Sequence, residues 1–334
     1  LDHSDVDYAV QHRAFCTNLS YISTDAGRGT SEQQLAEQIL AAFQQRRDRS
    51  RPYFWVIGLQ PPERQGVMTL SRYGGVNTMT NMAQNWSFHT KVTCSAGSWR
   101  QQSRPQRESP PANTRLLAFV ASECTTQKAS GDGMQHGAWL DPARGKVAIN
   151  WGMSAAFATQ APAVVDFYYS TATPNDYFVS GEIGAGMGFA VPPLMPDDSW
   201  QALLADAVPL WRDMDLSCMD IYANDGYYDG QSDWPHFTAM CEALGLRAVT
   251  FKNPIRSGGV LGKHGGTWGA GTELLQVISY PHSPTELSNA AQIDFLFDKI
   301  AAAEGPWGRQ RCCVYLPIGS LHTDVAGGST VQVS

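Results

Sequence analysis

Short apolar runs alternate with longer amphipathic stretches through most of the chain. Residues 52–59, PYFWVIGL, are rich in aromatic and β-branched side chains and predict a buried strand. Residues 114–121, 146–152, 217–223, 247–252, 273–279 and 312–318 have the same character, and 13–21 and 75–82 are weaker strand candidates. Helical spacing appears between them. In 30–47, Leu35, Ile39, Leu40 and Phe43 fall on one face, with Thr30 and Gln33 placed as a capping box. In 198–214, Leu203, Leu204, Ala207, Leu210 and Trp211 line one side behind a capping Asp198. Further helices are predicted over 65–73, 161–170, 232–244 and 283–303, the last opening on Ser283-Pro284-Thr285-Glu286. Residues 1–12 read as a polar leading arm.

Alternation of this kind implies parallel strands joined by crossover helices. Its length and count predict an α/β protein with an irregular (β/α) barrel, similar to a TIM barrel. Residues 95–113 carry Ser, Gln, Arg and Pro with almost no apolar side chains, so they read as a linker. They divide an N-terminal α/β portion, 1–113, from a C-terminal barrel portion, 114–334; one continuous domain is the alternative. Neither GxGxxG after a first strand nor GxxxxGK[ST] occurs, which argues against nucleotide phosphates and leaves no cofactor implied.

Composition narrows the classes. The net charge of −7 lacks the basic footprint that nucleic-acid binding needs. No window reaches about 18 continuous apolar residues, so no membrane span is expected. Seven cysteines, with no CxxC pair, predict no zinc site and leave the redox compartment and disulfide pairing open. Charged residues are sparse at 16%, while 10 Trp and 12 Tyr give a surface and core rich in rings. Such rings stack on sugars, and they also fill cores.

In a barrel, strand C-terminal ends face the active site. Those ends are predicted to carry Glu123, Asp176, Glu182, Asp220 and Asp225, with Trp86, Trp151, Tyr177, Tyr222, Tyr227 and Trp268 nearby. Carboxylates beside rings suit sugar hydrolysis: one protonates the leaving oxygen and another acts as base or nucleophile. Each could equally cap a helix or pair with an arginine, and Asn224-Asp225-Gly226 is also an ordinary turn sequence. His264 sits in the glycine-rich stretch 258–271, where a ligand contact is one option.

The stretch Thr171-Ala-Thr-Pro-Asn-Asp176-Tyr177-Phe-Val179, with Gly184-Ala-Gly186 after it and Asp141-Pro-Ala-Arg144-Gly-Lys146 and Trp151 before it, resembles the GxGYxYP family of glycoside hydrolases. The segments from Asp7-Tyr8 to Leu19-Ser20 and from Asn81 to Phe88 are similar to that family's N-terminal part. The resemblance implies a carbohydrate substrate and an exported or cell-surface protein. There are departures. Met187 stands where the motif has Tyr, the step to Pro192 is longer, and Ser122-Glu123-Cys124-Thr125 lacks the family's usual Asp pair. The expected site is Glu182 as general acid, Asp225 as base or nucleophile, and Asp176 and Glu123 in support. Trp86, Trp151, Tyr177, Trp268 and His264 are expected to bind substrate. The alternative is a barrel that binds glycans, or serves a structural role, without catalysis.

Overall fold

The structure is a computed structural model of the chain. It describes residues 6–17, 19, 31–46, 50–58, 63–78, 86–94, 99–102, 116–122, 138–181, 184–222, 235–252, 266–268, 272–274, 276–278 and 311–317. The first described element is α1 (Val6–Gln11), within the expected polar arm, and 14–17 are irregular rather than a strand. A contact distant in sequence explains the helix. The Ser87 hydroxyl and backbone N–H both donate to the Asp7 carboxyl, which joins α1 to α4 (Trp86–His89). Tyr8 packs on Trp86 with ring centroids 4.7 Å apart.

Between them lie α2 (Ser31–Arg46), β1 (Phe54–Ile57), α3 (Glu63–Arg72) and β2 (Gly75–Thr78). β1 and β2 form a parallel pair. Strands β3 (Leu116–Ser122), β4 (Ile149–Gly152) and β5 (Asp176–Val179) follow, with α5 (Phe157–Gln160) and α6 (Pro162–Ser170) between the last two. Then come α7 (Asp197–Asp213), β6 (Cys218–Tyr222), α8 (Pro235–Leu244) and β7 (Ala248–Lys252). The N-cap of α7 is Pro196 and makes no side-chain cap bond, so Asp198 lies inside the first turn instead of capping it. Three short strands, β8 (Gly266–Trp268), β9 (Thr272–Leu274) and β10 (Gln276–Ile278), and the longer β11 (Arg311–Pro317) complete the described set. The expected single strand 273–279 is thus two, and β8 occupies what reads as a glycine-rich loop. The predicted helix 283–303 lies outside the described residues.

The sheets are almost wholly parallel, as alternation demands. One has the order β10-β11-β3-β4-β5 and another β6-β7-β9-β8, and among the described strands only β8 is antiparallel to its neighbour. A parallel bridge between Ser180 and Met219 carries β5 over to β6.

Facing residues follow from the register. Trp151 pairs with Phe178, and Ser180 with Met219, so these four share one face. That face is covered by helices: Tyr169 of α6 stacks on Phe178 at 4.4 Å, and Trp211 of α7 donates to Ala185 O at 2.8 Å. The main core lies there, built around Trp139, Trp151, Phe157, Trp200 and Trp211. Tyr53, Val67 and Val76 of the N-terminal portion join the same core. Asn150, Tyr177, Val179, Asp220 and Thr250 lie on the opposite face.

Candidate functional site

Asp176 is the first residue of β5, paired with Ile149, the first of β4. It therefore sits at the foot of these strands, not at the C-terminal end where chemistry is expected. The carboxyl is enclosed and fully engaged. Arg144 forms an ion pair with its Oδ2, Trp151 Nε1–H donates to Oδ1 at 2.8 Å, and Thr173 donates its N–H at 2.8 Å and its hydroxyl at 2.7 Å. The Arg144 guanidinium also lies 4.1 Å from the centroid of Trp139, and Trp139 Nε1–H donates to Thr171 Oγ1 at 3.1 Å. Asn175 Nδ2 donates to Gly145 O at 2.6 Å. Two of the segments that carry the family resemblance, 141–146 and 171–176, thus meet as one clamp. Positive charge and donors directed at one buried carboxylate are what stabilise it there.

Trp151 is 1% exposed and spends its ring on Trp139 and its N–H on Asp176. Trp86 is 2% exposed beneath Tyr8. Neither presents a face on which a sugar could stack, because both rings complete a core. Tyr177 is half-buried, and its hydroxyl donates to Pro174 O at 2.8 Å, near the strand foot. Trp268 is the last residue of β8, and His264 precedes that strand by two positions outside the described residues.

Glu123, Glu182 and Asp225 also lie outside the described residues. In sequence, each of them follows a strand end. Glu123 directly follows Ser122, the last residue of β3. Glu182 comes two residues after Ser180, which bonds to β6 at the head of β5. Asp225 comes three residues after Tyr222, the end of β6. Because β3 and β5 run parallel in one sheet and Ser180 bridges in parallel to β6 of the other, Ser122, Ser180 and Tyr222 mark the same end, opposite Asp176.

The described part of that head is tightly built. Ser180 N–H donates to Cys218 O at 3.1 Å, and Asp220 N–H returns to Ser180 O at 2.7 Å. The 184–188 turn closes with Gly184 N–H to Gly188 O at 2.9 Å and Met187 N–H to Gly184 O at 2.9 Å. Ala185 holds a positive φ of 55° while wholly buried, a conformation sustained only when surroundings enforce it. Gly186, at φ 73°, accepts Ala155 N–H at 2.7 Å, linking the turn to the segment beyond β4. Gly188 passes so close to β2 that an added Cβ would lie 2.9 Å from Asn77 O. Beyond it, Phe189 and Asn77 exchange N–H···O bonds of 2.7 and 2.9 Å, and Val191 N–H donates to Ser71 Oγ at 2.9 Å. The motif stretch therefore staples the head of β5 to the head of β2. Asn77 is buried there, its Nδ2 donating to Gly58 O and Val56 O.

Sequence reasoning placed Asp220 among the strand-end acids without a role. It is 3% exposed, and its Oδ1 accepts the Thr250 hydroxyl from β7. The polar residue between Met219 and Ile221 was the available signal. Among the described residues, no group of three or more His, Cys, Asp and Glu is arranged to hold a metal ion.

Parallel sheets covered by helices define the chain as an α/β protein. A sequence model described as the "GxGYxYP putative glycoside hydrolase C-terminal domain" matches residues 113–260, and another described as the "GxGYxYP third domain" matches residues 2–91. The chain belongs to the GxGYxYP family. A crystal structure described as that of a "putative hydrolase" from Bacteroides thetaiotaomicron VPI-5482 aligns with 92% of this chain at a TM-score of 0.70 and 16% identity. At that identity the likeness is one of fold. The chain spans 57% of the length of that protein. A comparison with curated proteins finds no match.

Proposed function

We propose that the chain is a glycoside hydrolase that cleaves a poly- or oligosaccharide by carboxylate acid/base catalysis. The observation that carries this reading is the match of residues 113–260 to the "GxGYxYP putative glycoside hydrolase C-terminal domain". The placement of Glu123, Glu182 and Asp225 after the heads of β3, β5 and β6 supports it. In this reading Glu182 protonates the leaving oxygen, Asp225 activates water or attacks the anomeric carbon, and Glu123 supports them. Trp268, His264 and Tyr177 contact substrate, while Asp176, Trp86 and Trp151 keep the structural parts described above.

The fold reading is a ring of parallel strands in chain order. β11 pairs with both β3 and β10, β9 pairs with β7, and β9 and β10 are one residue apart in sequence. Together with the Ser180–Met219 bridge, these pairings support an irregular (β/α) barrel whose lumen is the face bearing Asn150, Val179 and Asp220. A division into portions 1–113 and 114–334 is supported by the bounds of the two family matches. Action on polysaccharide fits a secreted or cell-surface location. Among the described residues no helix is long and apolar enough to cross a membrane.

A second reading, glycan binding without turnover, is favoured by Met187. It replaces the motif's Tyr and is buried, so no hydroxyl is offered at that position. Product release from a broad panel of poly- and oligosaccharides, wild type beside Glu182→Gln, separates the two. Release by wild type alone supports the hydrolase and its acid. Release by both removes Glu182 from the chemistry, and binding without release by either supports the second reading.

A further inference from the structure

Strands β5 and β6 belong to different sheets, and one isolated bridge, Ser180 with Met219, joins them near the head of β5. Every second residue of a parallel strand bonds toward the same neighbour, so Phe178, two residues nearer the foot, offers its backbone to the same edge as Ser180. There it meets a side chain. Phe178 N–H donates to Gln101 Oε1 at 2.9 Å, and Phe178 O accepts Gln101 Nε2–H at 3.0 Å. The same Nε2 donates to Asp215 O at 2.8 Å, on the segment leading into β6. The carboxamide thus uses both donors and its acceptor across the two sides. Gln101 N–H donates to Asp215 Oδ2 at 2.9 Å. Asp215 holds a φ of 52°, a conformation glycine takes more easily, but glycine would lack this carboxyl.

The neighbours of Gln101 fasten the same segment. Trp99 is buried in the main core, Arg100 Nη1 donates to Asp213 O at 3.5 Å, and Gln102 Nε2 donates to Ala172 O at 3.3 Å. Ala172 precedes β5, and Asp213 ends α7 before β6. One short segment therefore holds both sides of the seam. It lies within 95–113, whose composition is that of a linker, and between the bounds of the two family matches.

We propose that residues 99–102 are a clasp that closes the foot of the seam between the two parallel sheets, with the Gln101 carboxamide standing in for a strand's peptide group on that edge of β5. An amide suits the place because it offers donor and acceptor together, as a neighbouring backbone would. A carboxylate there would keep the acceptor for Phe178 N–H and set its charge against the carbonyls of Phe178 and Asp215. With the clasp released, the sheets part at the foot while the Ser180–Met219 bridge still joins them at the head. The clasp stands whether or not the chain cleaves a glycan.

Amide hydrogen exchange, resolved to single residues on the full chain, tests it with wild type beside Gln101→Ala. In wild type the Phe178 N–H should exchange at least about 100-fold more slowly than a free amide, and a free amide's rate overturns the clasp. In Gln101→Ala the Phe178 N–H should exchange at least about tenfold faster than in wild type, while the Ser180 and Asp220 amides, bonded at the head, change by less than about threefold. A Phe178 rate within about threefold of wild type overturns the proposal. So does acceleration of all three amides by the same factor, which is a general loss of stability and not an opening of the foot. Should Gln101→Ala fail to fold, Gln101→Asn decides by the same reading. It keeps the amide and is shorter by one methylene, so it cannot span both sides. Faster exchange at Phe178 than at Ser180 and Asp220 supports the clasp, and an unchanged or uniform pattern overturns it.

Discussion

Replacing Asp176 with Ala removes the acceptor at the centre of the β4–β5 foot. Four donor contacts converge on it, from Arg144, Trp151 and Thr173 twice. Its side chain is wholly enclosed and that of Arg144 only 15% exposed, so water does not replace the lost carboxylate. Breaking a buried ion pair from one side costs about 3–5 kcal/mol, because the remaining charge stays buried and uncompensated. Unfolding entropy of about 2.1 cal/mol/K per residue over 334 residues gives about 0.7 kcal/mol/K. The expected fall in Tm is therefore about 4–7 °C if the chain melts as one unit. Calorimetry on wild type, Asp176→Ala, Arg144→Ala and the double variant checks this, and the double variant should lose much less than the sum. A loss below about 1 kcal/mol, or strictly additive losses, would refute the clamp. A collapse of activity at unchanged Tm would return Asp176 to the chemistry.

Gly186→Ala places a Cβ 2.9 Å from Trp211 Cζ2 and against the Ser180 hydroxyl, at φ 73°. It should lose about 2–3 kcal/mol in urea unfolding, and a neutral result would contradict the described turn. Tyr53 has its phenol pushed well above its usual value of 10.0, first by burial and then by the Asp206 carboxylate that accepts its O–H at 2.6 Å, with Arg51 opposing. A raised folded value means full stability below about pH 10, lost as pH climbs and the unfolded chain sheds its proton. Tyr53→Phe should cost about 1 kcal/mol at neutral pH and make the alkaline decline of the urea midpoint shallower. An unaltered decline would show that this tyrosine does not govern it.

The strands were legible where burial on both faces writes a continuous apolar run. Residues 114–121 and 217–223 predict β3 and β6 within two residues, and the spacing of Leu203, Leu204, Ala207 and Trp211 predicts α7. Parallel pairing followed from alternation alone. What the pattern could not carry was contact between distant segments. α1 depends on an Asp7–Ser87 bond across 80 positions. The part played by Asp176 depends on Arg144, 32 residues earlier, because an acid beside a strand reads alike at head or foot. Trp86 and Trp151 illustrate the same limit, since a ring that stacks on sugar and a ring that fills a core have the same letter. The glycine motif was visible, but its partner, the head of β2, was not. The buried positive φ of Ala185 has no local signal, being imposed by the Trp211 bond to its carbonyl and the close packing around Gly186.

In the proposed function, sugar is bound and cleaved at the heads of the parallel strands. A crystal structure of Glu182→Gln soaked with the oligosaccharide that wild type cleaves tests it most directly. A sugar ring is expected beyond Ser122, Ser180 and Tyr222, with its scissile oxygen within hydrogen-bond reach of residue 182. A sugar bound at the foot beside Arg144 and Asp176, or away from the strand heads altogether, would contradict it.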